Sequence, residues 1–264
     1  MAAAELVHYE VAGGVATVTL DSPANRNALS SALLGQLVAA LDRAVADAAV
    51  RVLVLTGADP AFCSGADLAE QRARNQSGQS AGGFPLPEVL RRLWRSPKPV
   101  LGRVNGAARA GGIGLVGACD IAIARERATF AFSEVRVGVV PAIIAATCLP
   151  RLAPRAAAEY LLTGEVFDAG RAVEIGLVNR AVADDELDAE VARYADMLGR
   201  GGPEALATTK EVLRELPGLD FDTALERMAA LSRDRFASAE ALEGMLAFAE
   251  KRSPSWAAPR SEAP

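Results

Sequence analysis

The stretch Asn105-Gly-Ala-Ala-Arg-Ala-Gly-Gly-Ile-Gly-Leu-Val-Gly-Ala-Cys-Asp120 lies between two apolar runs, Pro99 to Val104 and Asp120 to Ala124. Its Gly112-Ile-Gly114-Leu-Val-Gly117 core has the G-x-G-x-x-G spacing of a dinucleotide-binding turn. The context fails. That turn needs its first glycine directly after a strand, and here the strand ends near Val104. It also needs a crossover helix before the next strand, about a dozen residues, whereas Asp120 starts that strand three residues after Gly117. An NAD-dependent oxidoreductase is therefore disfavoured. The same glycines suit a tight turn into a short helix, with the Gly111 backbone N–H at its amino terminus aimed at an oxygen that becomes negative. Ser64-Gly-Ala-Asp67 is a second small-residue turn after a strand and offers another such donor. The residues alone equally allow that small side chains simply let helices pack closely on a sheet.

Outward from this stretch, the patterns alternate. Val15 to Leu20 reads as a strand and Asp21 to Asn27 as a turn. From Ser30 to Asp47 the spacing of Leu33, Leu37, Leu41 and Val45 predicts an amphipathic helix, with Ser30 or Ser31 as its cap. Val52 to Thr56 is an unbroken apolar run ending at Gly57, as in a strand buried on both faces. Strands separated by helical patterns predict an α/β fold with a largely parallel sheet and a ligand site at strand carboxyl ends. Arg74 to Pro87 has no period and reads as a surface loop beside a site, or as a tolerated insertion. Beyond Pro154 the chain reads as helical over 155–162, 169–175, 185–198, 203–216 and 221–250, and 253–264 as a disordered tail.

Composition removes whole classes of chemistry. The chain has one histidine, His8, near the amino terminus, so a multi-histidine metal site is excluded and a Ser-His-Asp or Cys-His machine would need His8 to fold back into a cleft. Cys63, Cys119 and Cys148 are odd in number and scattered, as expected of reduced thiols. No metal or separate cofactor is expected. Lys plus Arg total 28 against 33 Asp plus Glu, a net charge of −5 that argues against nucleic acid or an anionic membrane as partner. The longest apolar tract, Val137 to Leu149, is broken by Pro141 and falls short of the ~20 residues that span a bilayer. The start of the chain shows no basic segment followed by an apolar one, and a soluble, cytoplasmic protein is expected. The remaining chemistry must come from carboxylates, backbone groups or a borrowed cofactor.

Pro60-Ala-Phe-Cys-Ser-Gly-Ala-Asp-Leu68, Pro97-Lys-Pro-Val-Leu-Gly-Arg-Val-Asn-Gly106 and Gly111-Gly-Ile-Gly-Leu-Val-Gly-Ala-Cys-Asp120 resemble the crotonase family, the enoyl-CoA hydratase/isomerase proteins. Phe130-Ala-Phe-Ser-Glu-Val-Arg-Val-Gly138, Leu162-Thr-Gly-Glu165, Gly176-Leu-Val178 and Ala247-Phe-Ala-Glu-Lys-Arg252 continue the similarity in order from Val15 to Arg252. The resemblance implies an α/β fold, a spiral of ββα repeats over residues 1–200, followed by a helical region, 201–252, that builds a homotrimer or a hexamer of two trimers. It implies an acyl-CoA thioester as substrate, hence fatty-acid metabolism, with CoA as part of the substrate. Ala66 and Gly111 match the two residues whose backbone N–H groups hold the thioester oxygen, each worth ~3–4 kcal/mol in the transition state.

Hydratases of the family use two glutamates. One matches Glu134; the other would stand where this chain has Gly114, and glycine can neither give nor take a proton. With Glu134 alone the site resembles the family's enoyl-CoA isomerases. Hydration by Glu134 and a water held by other groups is the alternative, and a non-catalytic acyl-CoA-binding homologue is another. For Glu134 itself the bland reading is a surface glutamate paired with Arg136. On the CoA side the resemblance points to Asn25 and Arg26, to the backbone of Ala66, Asp67, Leu68 and Ala69, and to Phe248 and Lys251 in the assembled oligomer. Ala69 stands where many relatives carry lysine. Arg109 has no role in this reading.

Overall fold

A computed structural model describes residues 4–77 and 85–257. The chain opens with β1 (Val7–Ala12) and β2 (Val15–Leu20), an antiparallel hairpin turned by Gly13 and Gly14, both at positive φ. Gly-Gly between two extended runs is the turn chemistry a tight hairpin needs. α1 (Ser31–Ala46) follows, capped by Ser30, whose hydroxyl accepts the Leu33 N–H at 3.2 Å. Its Leu33, Leu37 and Leu41 are buried as the spacing predicts, while Val45 is left exposed at the last turn.

Three ββα units come next. In the first, β3 (Val52–Gly57) and β4 (Ala61–Cys63) lead into α2 (Leu68–Gln76) and α3 (Leu86–Arg95). In the second, β5 (Val100–Val104) and β6 (Ala107–Arg109) lead into α4 (Gly111–Ala118). In the third, β7 (Ile121–Arg125) and β8 (Thr129–Ala131) lead through a short 3₁₀ turn, Ser133–Val137, into α5 (Ala142–Cys148). The remainder is α6 (Pro154–Thr163), β9 (Phe167–Asp168), α7 (Ala169–Glu174), β10 (Arg180–Val182), α8 (Leu187–Gly199), α9 (Pro203–Glu215), α10 (Phe221–Phe236) and α11 (Ala239–Ala249).

Each unit gives its first strand to one sheet and its second to another. The larger sheet has the order β1-β2-β3-β5-β7-β10, parallel from β2 onward; the smaller has β4-β6-β8-β9, parallel across its first three strands. β3 is buried on both faces. Leu53 and Leu55 enter the main core with α1, α3 and α4, and Val52 and Val54 meet Leu187, Val191 and Ala195 of α8 on the other side. This is the α/β spiral that the resemblance implies.

Several boundaries differ from the sequence reading. Helix α2 continues through Arg74 to Gln76 because Asp67 accepts the Ala69 and Glu70 N–H groups at its start and Arg74 reaches Glu70 and Ser31. Of the expected loop 74–87, only 78–84 lie outside the described residues, since α3 begins at Leu86. The pattern over 221–250 is two helices, because Ser238 caps a new start by accepting the Ala241 N–H. Of the expected tail, 253–257 run beside the core, where the Trp256 carbonyl accepts from Arg51 and the Trp256 ring covers Gly244; 258–264 lie outside the described residues. Among the described residues no helix is long and apolar enough to cross a membrane.

Candidate active site

The groups singled out in the sequence converge because three short strands are neighbours. Ala66 comes three residues after β4 ends, Gly111 two after β6, and Glu134 three after β8. These strands lie side by side and parallel, so the three groups emerge at one end of one small sheet, the carboxyl end, where ligands gather in parallel sheets.

Leu29 forms a parallel bridge to Ala66: its N–H donates to Gly65 O at 2.8 Å and its carbonyl accepts the Asp67 N–H at 3.4 Å. In such a bridge the flanking residues supply the bonds, so the N–H of Ala66 itself points away from Leu29. Gly111 is the first residue of α4, where a backbone N–H has no intrahelical acceptor. The two turns touch. A β-carbon on Gly65 would stand 3.3 Å from the Gly111 nitrogen and 2.9 Å from both the Ala110 Cβ and the Arg109 carbonyl. One on Gly111 would stand 2.9 Å from Leu29 Cδ1 and 3.2 Å from Leu86 Cδ2. Only glycine at 65 and 111 lets the two turns pack this closely. Ala110, between Arg109 and Gly111, has φ 47° and ψ −120°, a strained conformation for an L side chain that costs of order 1–3 kcal/mol.

Glu134 sits in the 3₁₀ turn, half-buried, with its Oε2 buried and without a hydrogen-bond partner among the described residues. Desolvation pushes its pKa above the usual glutamate value. The bland alternative, a surface pair with Arg136, is not formed; the Arg136 side chain lies against Gly164. The nearby thiol of Cys148 is buried, accepted by the Ile113 carbonyl at 3.7 Å, and pushed up to about 12, chiefly by burial with the Glu134 charge adding to it. Cys63 and Cys119 are likewise buried and raised to about 12, so none of the three thiols is a ready nucleophile. His8 lies on β1, the edge of the larger sheet, paired with Asp21 at 2.5 Å.

Gly114 is fully buried in α4, and the space beside it is occupied. A β-carbon there would overlap Ile144 Cγ2 and stand 3.0 Å from Ile144 Cβ. Ile144 belongs to α5, thirty residues along the chain and on another helix, so no local pattern announces it.

The turn bearing Asn25 and Arg26 packs on the Ala66 turn. Ser64 donates its N–H to Arg26 O and its hydroxyl to Asn25 O, at 3.0 and 2.9 Å, and Asn25 Nδ2 donates to Asp67 Oδ2 at 3.3 Å. Leu68 and Ala69 follow, both exposed. Arg109 is spent on structure: its guanidinium donates to the Thr129 carbonyl and hydroxyl, the latter at 2.8 Å, and so clamps β6 to β8. Burial, aided by the Arg26 charge, lowers its pKa. Phe248 and Lys251 are not brought to this site within one chain. They lie with Gly14, Val50 to Val52 and Pro97 to Pro99, at the amino-terminal ends of the larger sheet's parallel strands, and Phe248 is 87% exposed.

A family profile described as enoyl-CoA hydratase/isomerase matches residues 10–259. The short-chain-enoyl-CoA hydratase of Clostridium acetobutylicum is 33% identical over 248 residues, 93% of this chain and 95% of that one. The crystal structure of an enoyl-CoA hydratase from Shewanella pealeana superposes with a TM-score of 0.90 at 32% identity, covering 96% of each chain. That of an enoyl-CoA hydratase from Mycobacterium avium is 47% identical, covering 96% of this chain and all of that one, with a TM-score of 0.71.

Proposed function

Because this chain belongs to the enoyl-CoA hydratase/isomerase family, we propose that it moves the double bond of a 3-enoyl-CoA thioester into conjugation with the carbonyl, using Glu134 as the sole proton carrier. The observation that carries this reading is the Glu134 Oε2, buried and unpartnered at the strand ends that also present the Ala66 and Gly111 amides. A buried carboxylate with a raised pKa is a stronger base than one in water.

The thioester oxygen accepts from the two N–H groups. Glu134 removes a proton from the carbon between the carbonyl and the double bond, and the electron pair left behind is delocalised onto that oxygen as a dienolate. The two amides meet the developing charge without rearranging, each worth ~3–4 kcal/mol. Glu134, now protonated, returns the proton two carbons further along, and the double bond comes to rest beside the carbonyl. The base is regenerated and no atom is gained or lost.

On the CoA side, the turn at Asn25 and Arg26 and the backbone from Ala66 to Ala69 form the near wall. Phe248 and Lys251 of a neighbouring copy complete it in a homotrimer or hexamer. The names carried by the relatives favour a second reading, hydration of a 2-enoyl thioester by Glu134 and a water held by other groups. The decisive experiment gives the purified protein 2-enoyl and 3-enoyl thioesters of several lengths. Conjugated product from the 3-enoyl substrate without alcohol supports isomerisation. A 3-hydroxyacyl product from the 2-enoyl substrate establishes hydration, and silence with both leaves an acyl-CoA-binding protein.

A further inference from the structure

We infer that Ile144 sets the reaction type of this site, by filling the volume that a second acid–base side chain opposite Glu134 would need. The inference rests on Glu134 being the proton carrier, as proposed above.

The geometry begins with a helix pair. Ile144 and Cys148 are one turn apart on α5, and that face is packed on α4: Thr147 donates its hydroxyl to the Gly114 carbonyl at 3.0 Å, and the Cys148 thiol to the Ile113 carbonyl. Glu134 borders the same packing: it sits in the turn between β8, whose Ala131 carbonyl accepts the Ala110 N–H at the start of α4, and α5, and its own carbonyl accepts the Val139 N–H just ahead of α5. Ile144 is 2% exposed, with its Cγ2 in the space a β-carbon at 114 would take. The remaining groups on this wall do not move protons at neutral pH. The Cys148 thiol stays protonated, and the Thr147 hydroxyl is engaged by two carbonyls, those of Gly114 and Ile144. The wall is apolar where a water would have to be bound. A buried water needs two or more polar partners, and a methyl group offers none.

The distances also dictate which substitution opens the wall. A β-carbon at 114 would stand 3.0 Å from Ile144 Cβ, too close for carbon, but 3.6 Å from Ile144 Cα, an ordinary contact. Alanine at 144 therefore still crowds a side chain at 114, while glycine removes the close contact altogether. A carboxylate at 114 and an isoleucine at 144 exclude one another.

The test is the set Gly114→Glu, Ile144→Gly, Gly114→Glu/Ile144→Ala and Gly114→Glu/Ile144→Gly, read by thermal unfolding and by 3-hydroxyacyl product from 2-enoyl-CoA. Gly114→Glu alone is expected to lower the melting temperature, with recovery graded from alanine to glycine at 144. The Gly114→Glu/Ile144→Gly protein is expected to hydrate about a hundredfold faster than the parent or either single variant, the lower end of what a positioned acid or base contributes. Overturning results are a Gly114→Glu protein that is as stable and hydrates as fast as the double variant, or stability recovery with no gain in hydration, which would make Ile144 packing alone. Isomerisation of 3-enoyl-CoA by the parent is measured in parallel. Its absence would sink the proposed native reaction, while the hydration gain and the graded recovery still decide the role of Ile144.

Discussion

Ala110 donates its backbone N–H to the Ala131 carbonyl at 3.1 Å, and this bond fastens the turn that presents Gly111 to the strand that delivers Glu134. Gly111, the proposed oxyanion donor, and Glu134, the proposed base, are thereby set relative to one another by main chain. Ala110 accepts a positive φ to make the bond, and its own carbonyl then receives the Ile113 and Gly114 N–H groups at 2.9 and 3.3 Å, closing the first turn of α4.

The strain at Ala110 predicts a stabilising substitution inside the site. Ala110→Gly removes a Cβ from a conformation glycine adopts freely, at the cost of a more flexible unfolded chain. The net gain expected is about 1 kcal/mol, read as a higher urea midpoint with an unchanged slope. A lower midpoint would show that the methyl's packing against Gly65 outweighs the backbone strain.

Glu134→Gln keeps the shape of the side chain and removes its capacity to carry a proton. Turnover of enoyl-CoA is expected to fall by about 10²–10⁴-fold while binding of a saturated acyl-CoA, followed calorimetrically, stays within a few-fold of the parent. Undiminished turnover would take Glu134 out of the mechanism.

The acid limb of the pH profile follows from the same residue. In its proposed role Glu134 must be deprotonated to accept the substrate proton, and burial raises its pKa above the ordinary glutamate value. Activity should therefore fall as the pH drops through that raised value, so that kcat/KM declines at a higher pH than a solvent-exposed glutamate would give. A decline only at the ordinary glutamate pKa would mean the carboxyl is solvated in the working enzyme.

The long elements were legible because their patterns outlast local noise. α1 shows its Leu33-Leu37-Leu41 stripe and its Ser30 cap, and β3 shows an apolar run on both faces. The smaller sheet was not, since β4, β6 and β8 have three residues each and a period of two cannot declare itself over so short a span. The convergence of Ala66, Gly111 and Glu134 was therefore carried by motif resemblance, and their common sheet by the structure alone. Ile144 was invisible for a different reason: its contact with Gly114 joins two helices, and neither residue is unusual in its own segment. Arg109 has no role readable from the sequence and is a clamp on Thr129, which only the partner reveals.

Lys210 gives a stability prediction remote from the chemistry. Its ammonium group is buried and donates to Asp120 Oδ2 at 2.5 Å and to the Lys98 carbonyl at 2.9 Å, while the Val100 N–H donates to the same Oδ2 at 2.7 Å. α9 is thus pinned to the start of β5 and the residue preceding β7. Lys210→Met leaves Asp120 with a partly buried, uncompensated charge and should cost about 3 kcal/mol in urea unfolding. Adding Asp120→Asn should recover part of that loss, because the charge left alone is then gone. Equal destabilisation in the single and double variants would show that the lysine stem's packing, rather than the ion pair, is what holds α9.

The carboxyl-terminal helices predict assembly. α10 has no buried residue in the isolated chain, and Phe221, Leu225, Phe236, Leu242, Met245, Leu246 and Phe248 are left exposed on α10 and α11. An apolar surface of this extent on a folded chain calls for a cover. Sedimentation should give three or six times the 27.4 kDa chain mass. Phe248 and Lys251 lie at the amino-terminal ends of the larger sheet's parallel strands, away from the strand ends that bear Glu134, so their proposed contact with substrate is assigned to a neighbour's. Lys251→Glu should then raise KM for the thioester while leaving kcat near the parent value, and mixing it with Glu134→Gln in one oligomer should restore full-affinity sites in proportion to the pairings that join an intact Glu134 to an intact Lys251. A monomer of undiminished activity, or mixed oligomers with no such restoration, would confine the whole site to one chain.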